Sequence, residues 1–438
     1  MSKKERKKKK SGVKTFFKIF LSILAILLLL LMIAGSYFYF TSHEVLKKMT
    51  DVFNTVDAVV IYVPNDDPAE TLEDIKGYNL GILDALDREH TYEALGEIED
   101  SADFIPNIVE YKGVQEMVGA YEAGDTDAIL LNTAYLSLLD EGTEEFLENN
   151  RIIWEHRIER KLELEEIKPI EDITDTPFLV YLSGNDSYEK NTNGRSDVNI
   201  LMAVNPVTKD VLLVNTPRDY YVDLAEHDGK DKLTHAGIYG VDISMKTLGN
   251  LYDVPVTYYA RINFTGFIDI VDALGGITVN SDVDFEVNGM HYVVGENELN
   301  GKEALTFVRE RHSFADGDRQ RGRNQQAAIS AMIQKMCSPQ ILLQYKDLMA
   351  AAQNVVETNM SINDITRLIE MQIKTGGNWK VESISVDGSG SNGPCYSAPS
   401  ANLYRMIPYE DSVLAAQKRL KTILNIPMDE VEPTEQGE

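Results

Sequence analysis

Three kinds of hydrophobic pattern divide this chain. Residues 19–42 carry no charge at all, around the run FLSILAILLLLLMIAGSYFYF, which is long enough as a helix to cross a hydrocarbon layer of about 30 Å. Farther on, short apolar runs alternate with segments of helical period. DAVVIYV (57–63) and YNLGILDAL (78–86) read as strands with TLEDIKG (71–77) as a short helix between them. VQEMVGAYEAGD (114–125) reads as a helix and TDAILLNT (126–133) as a buried strand. Residues 143–177 begin as a highly charged helix and end in an acidic, Pro-containing linker. Strands alternating with helices predict a small α/β unit over 43–170.

A second α/β unit is predicted over 171–385. PFLVYLSGND (177–186), VNILMAVN (198–205) and VLLVNTPRDYYVDL (211–224) are strand-like, and the last two flank PVTKD as a β-hairpin. Helices are predicted at 236–251 and 264–274, the latter stopped by Gly275-Gly276. ITVN (277–280), DVDFEV (282–287) and MHYVV (290–294) read as further strands. NGKEALTFVRER (300–311) is a helix opened by Asn300, and a long helix runs from about Gln325 to Met336. The expected fold is α/β, a mixed, mostly antiparallel central sheet flanked by helices. Residues 386–438 would pack on it and end in an acidic tail.

Charge adds topology. Nine Lys or Arg face one Glu in residues 1–18, whereas the whole chain carries −28, so everything after the tail carries −36. A basic flank before an apolar span places residues 1–18 in the cytoplasm and the rest outside, as a single-pass anchor in the cell membrane. The competing reading is a signal peptide cleaved at Ala34-Gly35-Ser36; the aromatic run Tyr37-Phe38-Tyr39-Phe40 beyond it favours a belt at the far interface. No nucleic-acid motif follows the Lys run, so nucleic acid is not an expected partner. The exported part holds two cysteines, Cys337 and Cys395, which fit one bridge between a helix end and a loop, against two separate buried thiols.

Against that acidity, five arginines fall within fifteen residues: Arg309, Arg311, Arg319, Arg321 and Arg323. Upstream, Arg195-Ser196-Asp197 and Pro217-Arg218-Asp219 repeat the pairing of Arg with Asp, and Asp186 closes a Gly-Asn-Asp turn. Guanidinium groups grip phosphate oxygens in pairs and stay charged when partly buried. Mg²⁺ takes one or two carboxylates and fills its other positions with water and phosphate. Several arginines with two carboxylates therefore fit a metal-bound pyrophosphate, provided the segments converge; otherwise they are loop-holding ion pairs.

Seven segments in this order carry a resemblance: GND (184–186), RSDVNILMAVNP (195–206), VLLVNTPRDYYV (211–222), KLTHA (232–236), NFTGFIDIVDALGGITV (263–279), LNGKEALTFVRERHS (299–313) and GDRQRGRNQQ (317–326). The unit resembles the LytR–CpsA–Psr family, and the anchor with its intervening domain resembles the capsule-type branch. The resemblance implies a phosphotransferase that moves a glycopolymer (teichoic acid, capsule or another wall polysaccharide) from an undecaprenyl-pyrophosphate carrier to peptidoglycan. It implies Asp186 and Asp197 as Mg²⁺ ligands, and Arg195, Arg218, Arg309, Arg311, Arg321 and Gln325 as the pyrophosphate grip. Arg218, Asp219, Arg309 and Arg311 would act on the reacting centre, Asp219 orienting Arg218. Many members have Arg before that Gln; here Asn324 stands there, Arg323 could supply the charge, and neither Arg319 nor Arg323 is carried over. FIDIVDAL and AAISAMI could line a polyprenyl tunnel or be ordinary core. The rival readings are a lipid-pyrophosphate hydrolase, a non-enzymatic envelope regulator or transcriptional attenuator (a label the family has carried), and a polysaccharide-binding scaffold.

Overall fold

The computed structural model describes residues 54–102, 104, 106–139, 142–161, 170–185, 193–338 and 355–427. The expected tail, the expected span 19–42 and Asp186 lie outside the described residues. No helix among the described residues is long and apolar enough to cross a membrane.

The first sheet contains β1 (Asn54–Pro64), β2 (Asn79–Leu83), β3 (Asn107–Tyr111), β4 (Ala128–Asn132) and β5 (Asn150–Lys161), in the order β3-β2-β4-β1-β5. Its period-two pattern sorts side chains onto two faces. Val59, Ile61 and Val63 pack with Ala94 and Ile98 of α1 (Arg88–Ala102). Val60 and Tyr62 pack with Val114 and Met117 of α2 (Val114–Glu122), and with Phe146 of α3 (Gly142–Asn149). Ile238, from the second unit, is inserted into that second core, so the two units share apolar contact. The structure departs from expectation after Asn149. Where a charged helix running into a linker was expected, the helix stops and β5 pairs along the whole of β1. β5 is an edge strand with one open side, so charges at alternate positions stay in water and mask the strand pattern.

Among the described residues the second sheet has six strands. β6 (Phe178–Asn185), β7 (Ser196–Asn205) and β8 (Asp210–Asn215) are antiparallel neighbours, and the hairpin predicted at PVTKD closes with Asn205 opposite Asp210. β9 (Tyr221–Asp223) and β10 (Lys230–Lys232) form a ribbon leading into α4 (Leu233–Ala236) and α5 (Val241–Tyr252). β11 (Tyr258–Ile262) returns parallel to β6. α6 (Phe264–Ala273) is capped by Asn263, whose side chain accepts from Gly266 N, and it stops at Gly275 and Gly276, both at positive φ.

β12 (Ile277–Ser281) then pairs with β15 (Gly295–Leu299) around the small ribbon of β13 (Phe285–Val287) and β14 (Met290–Tyr292). α7 (Gly301–Arg309) opens at Asn300 with a reciprocal cap from Glu303. α8 (Asp318–Met336) begins well before the expected Gln325, so Arg319, Arg321 and Arg323 belong to its first turns. A Cβ at Gly322 would fall 2.3 Å from Asn215 Nδ2, so the glycine permits α8 to cross the end of β8.

β16 (Val356–Thr358) adds antiparallel to β11, α9 (Ile362–Thr375) follows, and β17 (Lys380–Ser385) adds parallel to β8. The sheet is thus mixed, with three antiparallel and two parallel pairings. A long hairpin of β18 (Gly388–Cys395) and β19 (Ala398–Pro408) and a closing helix α10 (Glu410–Ile423) complete it. The bridge expected between Cys337 and Cys395 is not formed: both are free thiols. Cys337 ends α8, whereas Cys395 is buried at the end of β18, and burial pushes the two thiols up to about 11 and about 12.

One face of the second sheet, carrying Leu179, Leu201 and Leu212, is sealed by Leu248 of α5 and Leu420 of α10. The opposite face, carrying Val180, Val204 and Val211, meets Ile329 and Ile333 of α8 and Leu368 of α9 less closely. A cavity opens along that second face.

Candidate functional site

The start of β7 is held by a buried polar network. Ser196 Oγ lies 2.9 Å from Tyr181 Oη and 2.8 Å from Ser183 Oγ, and Asn199 Nδ2 donates to Ser196 O at 2.8 Å. Such a network fixes one conformation because every member is satisfied. It holds Arg195 and Asp197 on either side of Ser196. Just before them, Gly194 N donates to Gly237 O at 3.2 Å, and a Cβ on Gly237 would fall 2.4 Å from Gly194 O.

Arg218 and Asp219 follow the end of β8, in a turn secured by Thr234 N donating to Arg218 O and Met406 N donating to Asp219 O. Here the two upstream segments meet. Arg218 Nη1 donates to Asp197 Oδ1 at 3.0 Å, and Thr234 Oγ1 donates to the same oxygen at 3.3 Å. Asp219 Oδ2 lies 3.8 Å from Arg218 Nε, while its Oδ1 lies 3.1 Å from Lys232 Nζ. Asp219 is therefore closer to Lys232 than to the arginine it was expected to orient.

The downstream segments reach the same place. Arg309 ends α7 and Arg311 lies just beyond it; the Arg309 guanidinium is 4.3 Å over the Phe264 ring and Arg311 Nε donates to His312 Nε2. Arg321 is buried in the first turns of α8, ion-paired with Asp318, and Gln325 is buried one turn on, donating to Val308 O at 3.5 Å.

Electrostatics show how closely these groups crowd. Burial pushes the Asp197 carboxyl up, but Arg218, Arg195 and Arg321 together reverse that and hold it below the ordinary carboxylate range. Burial also disfavours the Arg218 cation, yet Asp197 and Asp219 outweigh it and raise its affinity for the proton. Arg321 is depressed by burial and by Arg218 and Arg311, against the pull of Asp318 and Asp197. The Nε of Arg218 is buried and makes no hydrogen bond. Like charges drawn together, one with an unsatisfied buried donor, make a site that an anion would stabilise.

All six residues of the expected grip, Arg195, Arg218, Arg309, Arg311, Arg321 and Gln325, line one cavity of about 2270 Å³, together with Asp197 and Asp219. The same cavity continues along apolar side chains that include Phe267 and Ile270 of α6 and Ile329, Met332 and Ile333 of α8. Parts of FIDIVDAL and AAISAMI thus face open space rather than only core.

The LytR_cpsA_psr family model matches residues 150–421. The chain belongs to this family. The polyisoprenyl-teichoic acid–peptidoglycan teichoic acid transferase TagU of Bacillus licheniformis is 38% identical over 190 residues, covering 43% of this chain and 62% of that protein. TagU of Enterococcus faecalis is 30% identical over 252 residues, covering 57% of this chain and 80% of that protein. The crystal structure of B. subtilis TagV superposes with a TM-score of 0.50 and 28% identity, covering 58% of this chain and 99% of that one. This chain thus spans under two thirds of the first relative's length.

In this LytR_cpsA_psr member the described donors fit Mg²⁺ in one respect. Asp197 supplies a hard carboxylate at the arginine cluster, and among the described residues no group of three His, Cys, Asp or Glu forms a cage. One carboxylate beside a phosphate site is the pattern Mg²⁺ uses, with water and phosphate oxygens completing it. Arg319 and Arg323 turn elsewhere: Arg319 donates to Asp387 Oδ1 and Gly388 O, and Arg323 pairs with Asp316 and Asp282. Asn324, at the position where many members carry Arg, is buried and donates to Phe307 O. Lys232 lines the cavity as well. It stands first in KLTHA, a motif noted for its match and not for its charge. His235, in the same motif, is buried against Asp231 and Ser397, whereas His312 lines the cavity.

Proposed function

We propose that the chain is a phosphotransferase that moves a glycopolymer from a polyprenyl-pyrophosphate carrier to peptidoglycan. The observation that carries this reading is the convergence of five arginines and Gln325 on a cavity that continues as an apolar channel. A diphosphate head and an isoprenoid tail would each meet matching chemistry there. The relatives named as teichoic acid transferases support the same substrate class.

An acceptor hydroxyl oxygen attacks the phosphorus bonded to the glycan. The new P–O bond forms as the bond to the bridging pyrophosphate oxygen breaks, and polyprenyl phosphate leaves. Arg195, Arg218 and Arg321, already crowded together, hold the non-bridging oxygens and stabilise the charge that grows on them. Asp197 Oδ1 is engaged by Arg218 and Thr234 and the carboxylate would also serve the metal, so Asp219 at the cavity wall takes the hydroxyl proton. Lys232 beside it holds that carboxylate in place. Asp186 and Asp197 would hold Mg²⁺, which would neutralise phosphoryl charge. Residues 1–42 would anchor the chain with this site outside the cell membrane.

The test is transfer of labelled glycopolymer from a lipid-linked donor, with and without peptidoglycan, in Mg²⁺ and in chelator. Label fixed to peptidoglycan only with Mg²⁺ is the expected result. Release of free polymer regardless of acceptor would make the chain a hydrolase, and no turnover at all would leave the enzymatic reading refuted.

A further inference from the structure

The hairpin of β18 and β19 lies beyond the segments that build the anion site, yet Leu403 and Tyr404 of β19 line the same cavity. Tyr404 is 50% exposed, on a strand paired with β18. It packs closely on the partner strand: a Cβ on Gly390 would come 3.0 Å from Tyr404 Cε2 and 3.2 Å from its Oη, so a larger residue there would push the ring aside. The hairpin is tied to the reacting centre by the 2.7 Å bond from Met406 N, two residues on, to Asp219 O. Arg319 fixes the start of the hairpin by donating to Asp387 Oδ1 at 2.7 Å and to Gly388 O at 3.1 Å, and Arg405 stacks 4.1 Å over Tyr221. Near the tip, Ser400 Oγ donates to Glu116 of the first unit at 3.4 Å. That unit lines the cavity too, with Thr143, Glu144, Glu155 and Arg157.

We infer that Tyr404 is the stacking platform for a pyranose ring of one of the two glycans being joined, and that the first α/β unit supplies the polar wall of this sugar subsite. The sugar class rests on the transfer reading above. The physical case is the match of surfaces. The C–H face of a pyranose is weakly positive and packs on the negative face of an aromatic ring, while its hydroxyl and amide edges need hydrogen-bonding side chains. An aromatic face fixed two residues from the contact to Asp219 would place such a ring beside the phosphorus without touching the arginine cluster. On this reading the first unit is part of the substrate site.

The test uses the full chain in detergent and calorimetric titration with three probes. They are a soluble peptidoglycan disaccharide-peptide, polyprenyl pyrophosphate bearing one sugar, and polyprenyl pyrophosphate without sugar. Y404A is expected to weaken one sugar-bearing probe by about tenfold, with sugar-free lipid binding as wild type does. Loss confined to the disaccharide-peptide identifies the acceptor as the occupant; loss confined to the sugar-bearing lipid identifies the donor. Y404F should recover affinity to within about twofold, because the ring and not the hydroxyl is the platform. Y404A binding both sugar probes like wild type would overturn the inference. So would an equal loss for the sugar-free lipid, since Tyr404 would then be supporting the anion site. Wild-type chain that binds no polyprenyl pyrophosphate refutes the transferase reading separately, and the disaccharide-peptide titration still decides whether Tyr404 holds a sugar.

Discussion

Replacing Arg218 by Ala removes the residue on which the upstream half of the site depends. Its Nη1 is 3.0 Å from Asp197, with the two side chains 15% and 21% exposed. Stripping one partner from a fully buried ion pair costs about 3–5 kcal/mol. This pair is partly wet, and Arg195 and Arg321 stay beside Asp197, so a loss of about 1–3 kcal/mol is expected. The loss has a pH signature. Asp197 is held below the ordinary carboxylate range, so its contribution to stability is present above about pH 4 and disappears as pH falls through the folded value. The variant lacks the largest favourable cause of that shift. The gap in Tm between wild type and Arg218→Ala should therefore be widest near neutrality and close below about pH 4. Transfer should fall by about 10²–10³, the usual effect of removing one donor aimed at transition-state charge. Thermal unfolding from pH 3 to 7 and labelled-polymer transfer measure the two effects. A variant that transfers at the wild-type rate, or a Tm gap that does not change with pH, would refute the assignment of Arg218 to Asp197 and to the phosphoryl group.

Two further outcomes separate the site from its surroundings. Arg323→Ala removes an arginine of the same sequence cluster whose partners, Asp316 and Asp282, are half exposed; stability should change by less than about 1 kcal/mol, and transfer kinetics should match wild type. Gly237→Ala pushes a Cβ against Gly194 O and Ser196 N, and should cost about 1–3 kcal/mol in denaturant unfolding while weakening polyprenyl-pyrophosphate binding through the displaced Arg195; wild-type affinity would show that Arg195 does not hold the ligand.

Much of the site was legible because its residues sit in short motifs whose chemistry is local. Asn300 announced α7, Gly275-Gly276 announced the end of α6, and the Arg–Asp pairs marked the turns that meet at Asp197. Convergence itself was not legible, since it depends on β7, β8, α7 and α8 delivering their ends to one place. Edge positions were hardest to read. β5 hid behind its charges, and β18, with GSGSNGPC, has no apolar period at all because its pairing with β19 and its glycines do the work of a core. The start of α8 was set too late, and Gly322 within its first turns is required by Asn215, a neighbour distant in sequence. The two cysteines pointed to a bridge by compartment alone, and their separate placements decided otherwise.

The stitching of the hairpin to the reacting centre also sets an order of assembly. Tyr220 Oη donates to Asp387 O across 167 residues, and Ser397 N donates to Asp231 Oδ2 across 166. Contacts of that span form slowly, because loop closure must precede any reward. As the chain is synthesised, the arginines of the upstream motifs emerge long before the segment that fixes Asp219 in position. The segment that holds Asp219 in position is thus the last part of the site to be made, an order written into the connectivity itself.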